Sequence, residues 1–149
     1  MLPSILIGLV AGQRSMTPLA VLAGAARRGT LPPDAFGAKL LASPHAAAGA
    51  VALAAGEIAG DKMADAPDRI IPAGLAGRFA TGAFAGATMA RRDRRILGAL
   101  LGGVAAVASS FVGFRARVAA MRRFGQVPTG FAEDALALGA ASAIVNARR

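Results

Sequence analysis

The chain has 149 residues, a formal net charge of +9, no cysteine and one histidine. It is 55% hydrophobic with a mean hydropathy of +0.54 and only 17% charged residues, against ~25% in an ordinary soluble domain. These values exclude disulfides, thiolate metal sites, cysteine nucleophiles and multi-histidine metal sites, leave room for a single domain (1–149), and point to a membrane.

Apolar stretches separated by turn formers predict an all-α fold, a polytopic membrane bundle of about five helices at 2–26, 38–62, 72–90, 95–121 and 131–147. The first stretch is broken only by Arg14. Pro18 cannot donate to the Arg14 carbonyl and its ring would clash there, so residues 13–18 read as a kink with a polar centre of Arg14, Ser15 and Thr17. A charge at the bilayer centre costs ~2.5–3.5 kcal/mol, so Arg14 is expected to face protein or water. The segment lacks a basic leader, so it reads as an uncleaved helix and not as a signal peptide.

In the second helix Glu57 and Asp61 are four apart, which places both carboxylates on one face. Arg14 or Arg78 is the expected partner of Glu57, and Lys62 or Arg78 that of Asp61. Paired carboxylates in a membrane relay protons or hold a cation. His45 reads as solvated at the helix start, and Asp65 and Asp68, beside Pro67, as a solvated turn. The third helix is interrupted by Arg78. The fourth carries the clearest span, the uncharged stretch 96–114, with Ser109 and Ser110 in its interior. The fifth is uncharged from Ala135 to Ala147 but short.

Arginines cluster at the edges of these stretches, at Arg27-Arg28, residues 91–95, Arg122-Arg123 and Arg148-Arg149. That placement fits loops flanking membrane helices and argues against nucleic-acid binding, which wants a solvated basic face with stacking aromatics. With five spans, the loop charges favour an outside N-terminus and an inside C-terminus, with Arg122-Arg123 dissenting.

The chain matches itself at an offset of about 95 residues, pairing Gly8 with Gly103, Ser15 with Ser110, Pro33 with Pro128 and Phe36 with Phe131. The halves are 2–62 and 95–149, with the helix at 72–90 between them. Equivalent helices would then run in opposite directions, an inverted-topology repeat of the kind transporters use, with helices broken at matching places around a binding site. Gly-x-x-x-Gly pairs occur at Gly8/Gly12, Gly56/Gly60, Gly82/Gly86 and Gly98/Gly102. This spacing lets helices approach closely in lipid, within a tight bundle or a homo-oligomer.

The run from Gly12 to Pro18, then Leu41-Ala42-Ser43-Pro44, Glu57 with Asp61-Lys62 and Pro67, and Pro72-Ala73-Gly74 with Arg78 and Gly82, resembles a bacterial membrane family, domain of unknown function 4126. The likeness covers nearly the whole chain. The family pattern often has a proline soon after the Asp-Lys pair, where this chain has residues 63–66 before Pro67. The resemblance implies an integral protein of the bacterial inner membrane and no particular substrate.

The expected function is a transporter or channel for a small ion or solute. Arg14, Ser15, Thr17, Ser109 and Ser110 would line the pathway, with Glu57, Asp61 and Arg78 holding or gating it. Arg14 favours an anion and the carboxylates a cation or proton, so the sign stays open. The alternative is a non-transporting scaffold or partner subunit whose buried charges fix register. An enzyme acting on lipid through Glu57 and Asp61 is the third class, and no metal-ligand, phosphate-loop or nucleophile pattern supports it. No cofactor or metal is expected.

Overall fold

A computed structural model describes residues 1–60 and 71–147. Among the described residues the fold is all-helical: α1 (Leu2–Gln13), α2 (Thr17–Arg27), α3 (Ala38–Ala42), α4 (Pro44–Gly60), α5 (Pro72–Met89), α6 (Arg95–Phe124) and α7 (Gln126–Asn146). A 3₁₀ turn at Arg92–Arg94 leads into α6.

Three helix starts follow directly from proline. Pro18 and Pro72 sit in the first turns of α2 and α5, where a missing N–H costs nothing. Ser43 is held extended by Pro44, which ends α3, and its Oγ accepts the Ala46 N–H at 3.1 Å to cap α4. The expected helix 38–62 is therefore two helices. Pro128 does not hold off the last helix as expected, because in the first turn of α7 it needs no N–H partner. The single residue Gly125, at φ +84, makes the turn between α6 and α7.

The largest departure lies in the first stretch. Arg14 is extended (φ −137, ψ 104), and the break beside Pro18 is complete. The chain then turns back. Asp34, shortly after α2, gives its carbonyl to the Arg95 guanidinium, and the Phe36 ring packs edge-on against Phe84 at 5.3 Å. Those partners lie where α5 ends and α6 begins, the same end at which Ser4 of α1 approaches Gly98. The loop from Arg28 to Asp34 can reach at most ~20 Å, too little to return from the far end of a continuous helix. So α1 and α2, of 12 and 11 residues, form a hairpin whose tip is Arg14-Ser15-Met16, and they replace the expected span 2–26. We call the end holding residues 91–95 basal and the other distal.

The glycine pairs set the packing. A Cβ on Gly102 would collide with the Gly82 carbonyl, one on Gly86 with the Gly98 carbonyl, and one on Gly8 with the Gly102 carbonyl. Backbone meets backbone along α1, α5 and α6, the close approach that small residues permit. Three of the four Gly-x-x-x-Gly pairs are thus used within the chain, while Gly56 and Gly60 have open space beside them. We expect Gly102→Val to cost about 3 kcal/mol or more through overpacking and Gly139→Val, which meets nothing, to be silent. Thermal melting in detergent separates them, and equal melting temperatures would refute this packing.

The contacts also correct the repeat. Going up α1, Ser4, Gly8 and Gly12 meet Gly98, Gly102 and Ala106 of α6 in ascending order, so the two helices run parallel. The inverted arrangement required them to be opposed. α6 also runs unbroken through Ser109 and Ser110, so the broken helices are not matched. The physical reason is the hairpin: α2 reverses where a spanning helix would have continued.

Candidate functional site

The tip of the hairpin carries the buried charge. Arg14 is buried, and its guanidinium lies 2.6 Å from Asp134 and 3.9 Å from Glu133 of α7. Glu133 also holds Arg117 of α6 at 3.0 Å. These four groups form one alternating network, in which each charge has an opposite neighbour, as burial in a low-dielectric setting demands.

Glu57, near the end of α4, reaches the same tip from another side. Its carboxylate accepts the Ser15 N–H at 2.8 Å, the Ser15 hydroxyl at 3.1 Å and the Met16 N–H at 2.9 Å. These donors stand at the N-terminus of α2, where unbonded amides and the helix dipole favour an anion. Glu57 therefore closes the tip as a cap supplied from another helix, and pairs with neither Arg14 nor Arg78 as the spacing had predicted.

Ser109 and Ser110 act as interhelical ties. Ser109 donates to the Leu9 carbonyl at 2.9 Å and Ser110 to the Gly12 carbonyl at 3.2 Å, while Gln13 Nε2 donates to the Ser109 carbonyl at 2.8 Å. Both hydroxyls also bond the Ala106 carbonyl of their own helix, which keeps them satisfied without breaking α6. They fasten the last turn of α1, which lacks onward helical partners, to a continuous helix.

Two open grooves flank α7. One, of about 630 Å³, lies between α4 and α7 with α2 as its floor, and Thr17 and Asp134 stand in it. The other, of about 580 Å³, lies between α1, α6 and α7 and contains Gln13, Ser109 and Glu133. Both are otherwise mostly apolar. The carboxylates, 12% and 15% exposed, reach the grooves, whereas the Arg14 side chain is 1% exposed and lines neither.

Of the sequence-predicted site residues, Arg14, Ser15, Thr17, Glu57, Ser109 and Ser110 gather around the tip. Arg78 is buried on α5 (7% exposed). Asp61 lies outside the described residues. The residues missed are Asp134, Glu133, Arg117 and Gln13. A signal for the acids existed: a buried arginine requires a counter-charge, and few acids lie within the apolar helices. Among the described residues no three of His, Asp and Glu come together as a metal site.

The fold and site thus define a helical chain with a charged hairpin tip held by α4 and α7 beside α6. No family model matches the chain, and no match is found among curated proteins or solved structures.

Proposed function

We propose that this is a polytopic membrane protein that moves a proton or small cation past the tip of a re-entrant hairpin. The carrying observation is the fully buried Arg14 held between Asp134 and Glu133, with only the carboxylates open to the grooves.

Membrane placement rests on the inside-out distribution of side chains. Arg14, Arg78, Ser4, Thr17, Thr81, Thr88, Ser109 and Ser110 are buried, while Ile96, Val112 and Leu136 are 81%, 69% and 74% exposed. By length and composition one described helical run, Arg92–Phe124, suffices to cross a bilayer, and Leu2–Gln13 is a shorter apolar helix. In this reading α4, α5, α6 and α7 cross in turn and α1–α2 dips in from the basal side. The tip stands level with Ser109-Ser110, ~20 Å above Ile96 in a layer of ~30 Å. Half-length helices that meet inside a bundle are tolerated where protein surrounds the break. The resemblance to the domain of unknown function 4126 family belongs to this proposal, with placement in a bacterial inner membrane.

The chemistry is exchange of partners. A proton or cation arriving at Glu133 competes for its carboxylate, loosening Arg117 and leaving Arg14 wholly to Asp134. Its departure restores the shared arrangement. A carboxylate in reach and a guanidinium out of reach favour a cation over an anion.

The test is flux in proteoliposomes with protons, small cations and small anions, comparing wild type with Glu133→Gln, Asp134→Asn and Glu57→Gln. Proton or cation flux that falls at least tenfold in folded Glu133→Gln supports the reading. Absence of flux from inserted, folded wild-type protein across the panel refutes it.

A scaffold is the second reading, favoured by the closure of Glu57, Glu133 and Asp134 onto partners and by the outward face of α4. That helix is anchored through Ala47, Ala50 and Ala54 and leaves Val51, Leu53 and Gly56 outward. Homo-oligomerisation through that face belongs to this reading. Co-purification of stoichiometric partner subunits with no flux would favour it.

A further inference from the structure

The groove over α2 has a shape and a charge pattern that the transport reading leaves unused. Its floor is α2, its walls are α4 and α7, and it runs from Thr17 and Asp134 at the inner end to Arg28 at the basal mouth. Arg28 folds back so that its guanidinium lies over Gly24, whose missing side chain makes the room. Arg27 stands beside it, exposed, and neither arginine has an ion-pair partner among the described residues. Between the ends the lining is apolar, with Val21, Ala55 and Leu138 among its walls.

We infer that this groove holds one acyl chain of an anionic phospholipid from the basal leaflet, with its phosphate on Arg28 and Arg27. The inference rests on the membrane placement proposed above. Two features select this occupant. The groove is as long as α2 from Thr17 to Arg28, ~17 Å, which is about one leaflet of a ~30 Å hydrocarbon layer. Arg28 lines the mouth, where a headgroup would lie, with the exposed Arg27 next to it in sequence, and Thr17 and Asp134 stand at the inner end with Ile58 and Phe131, where the chain would stop. A basic cleft at the basal surface is the usual seat of an anionic headgroup. A lipid seated there would keep water from the Asp134 side of the Arg14 pair and leave the Glu133 groove as the polar approach.

The experiment uses the full chain in nanodiscs of equal phosphatidylglycerol and phosphatidylcholine, followed by detergent extraction and mass spectrometry of retained lipid. Alkaline carbonate washing of native membranes is run in parallel to read membrane integration by itself. Retention of phosphatidylglycerol over phosphatidylcholine by about fivefold or more is expected, falling to near parity in Arg27→Gln/Arg28→Gln. Ala55→Phe, at an exposed wall position, should lower retention of both lipids. Arg122→Gln/Arg123→Gln, at the distal end, should change nothing. A preference that survives Arg27→Gln/Arg28→Gln, or retention indifferent to Ala55→Phe, overturns the site. A second copy of the chain crosslinked through Ala55 and Leu138 overturns it in favour of a dimer. Release by carbonate would instead remove the membrane placement on which it rests.

Discussion

Arg14→Met should lower the melting temperature of the detergent-solubilised protein by about 10 °C or more. The substitution takes the cation 2.6 Å away from the largely enclosed Asp134 carboxylate, and breaking a buried pair from one side costs about 3–5 kcal/mol. Replacing both partners, as Arg14→Met with Asp134→Leu, removes the carboxylate together with its cation and should recover most of the loss. A surface control is available. Arg94 and Asp93 pair at 3.6 Å while both remain largely exposed, so Arg94→Met should do almost nothing. Melting curves of wild type, Arg14→Met, Asp134→Leu and the double variant form a double-mutant cycle, with Arg94→Met as the control. A neutral Arg14→Met, or a double variant no better than the single one, would show that the pair does not hold the tip. The double variant also separates stability from transport. Recovered stability with lost cation flux places the pair in the pathway, and recovered flux removes it from there.

Cysteine labelling should place Leu2, Asp34 and Asn146 on one side of the membrane and Val127 on the other. The hairpin returns the chain to the basal end, and α7 descends beside α1, matching Asp134 to Arg14. The basal end holds Arg27, Arg28, Lys39 and residues 91–95, against Arg115, Arg122 and Arg123 at the distal end. In the proposed membrane placement, that excess of positive charge is expected to put the basal end, with Leu2 and Asn146, on the cytoplasmic side. This differs from the opposed termini that five spans imply. The chain has no cysteine, so Leu2→Cys, Asp34→Cys, Asn146→Cys and Val127→Cys each give a single thiol. An impermeant maleimide on right-side-out vesicles should label only Val127→Cys until the vesicles are opened. Labelling of Leu2→Cys but not Asp34→Cys would make 2–26 a span after all and remove the hairpin.

The break at Arg14 was readable because it is local: a missing N–H and a ring clash act within one helical turn. The direction taken after it was not. A kinked span and a hairpin share the same Pro18, and what selects the hairpin is the meeting of Asp34 with Arg95 and of Phe36 with Phe84. Glu57 shows the same limit. Its placement inside an apolar helix marked it as important, but spacing could offer only charged partners. Its actual donors are two amides and a hydroxyl exposed by the break in another helix. Glu133 and Asp134 stayed unnoticed because, in sequence, they flank an apolar stretch as ordinary interfacial acids do.

Composition and residue spacing by themselves determined the helical class, the low share of charged residues, the absence of thiol chemistry and the small-residue faces. Each follows from properties that a residue carries wherever it sits. Tertiary structure decided the reversal at the tip, the parallel packing of α1 on α6 and the choice of Asp134 for Arg14. Those depend on which segments meet, and a buried charge takes the opposite charge that packing brings within reach, however distant in sequence.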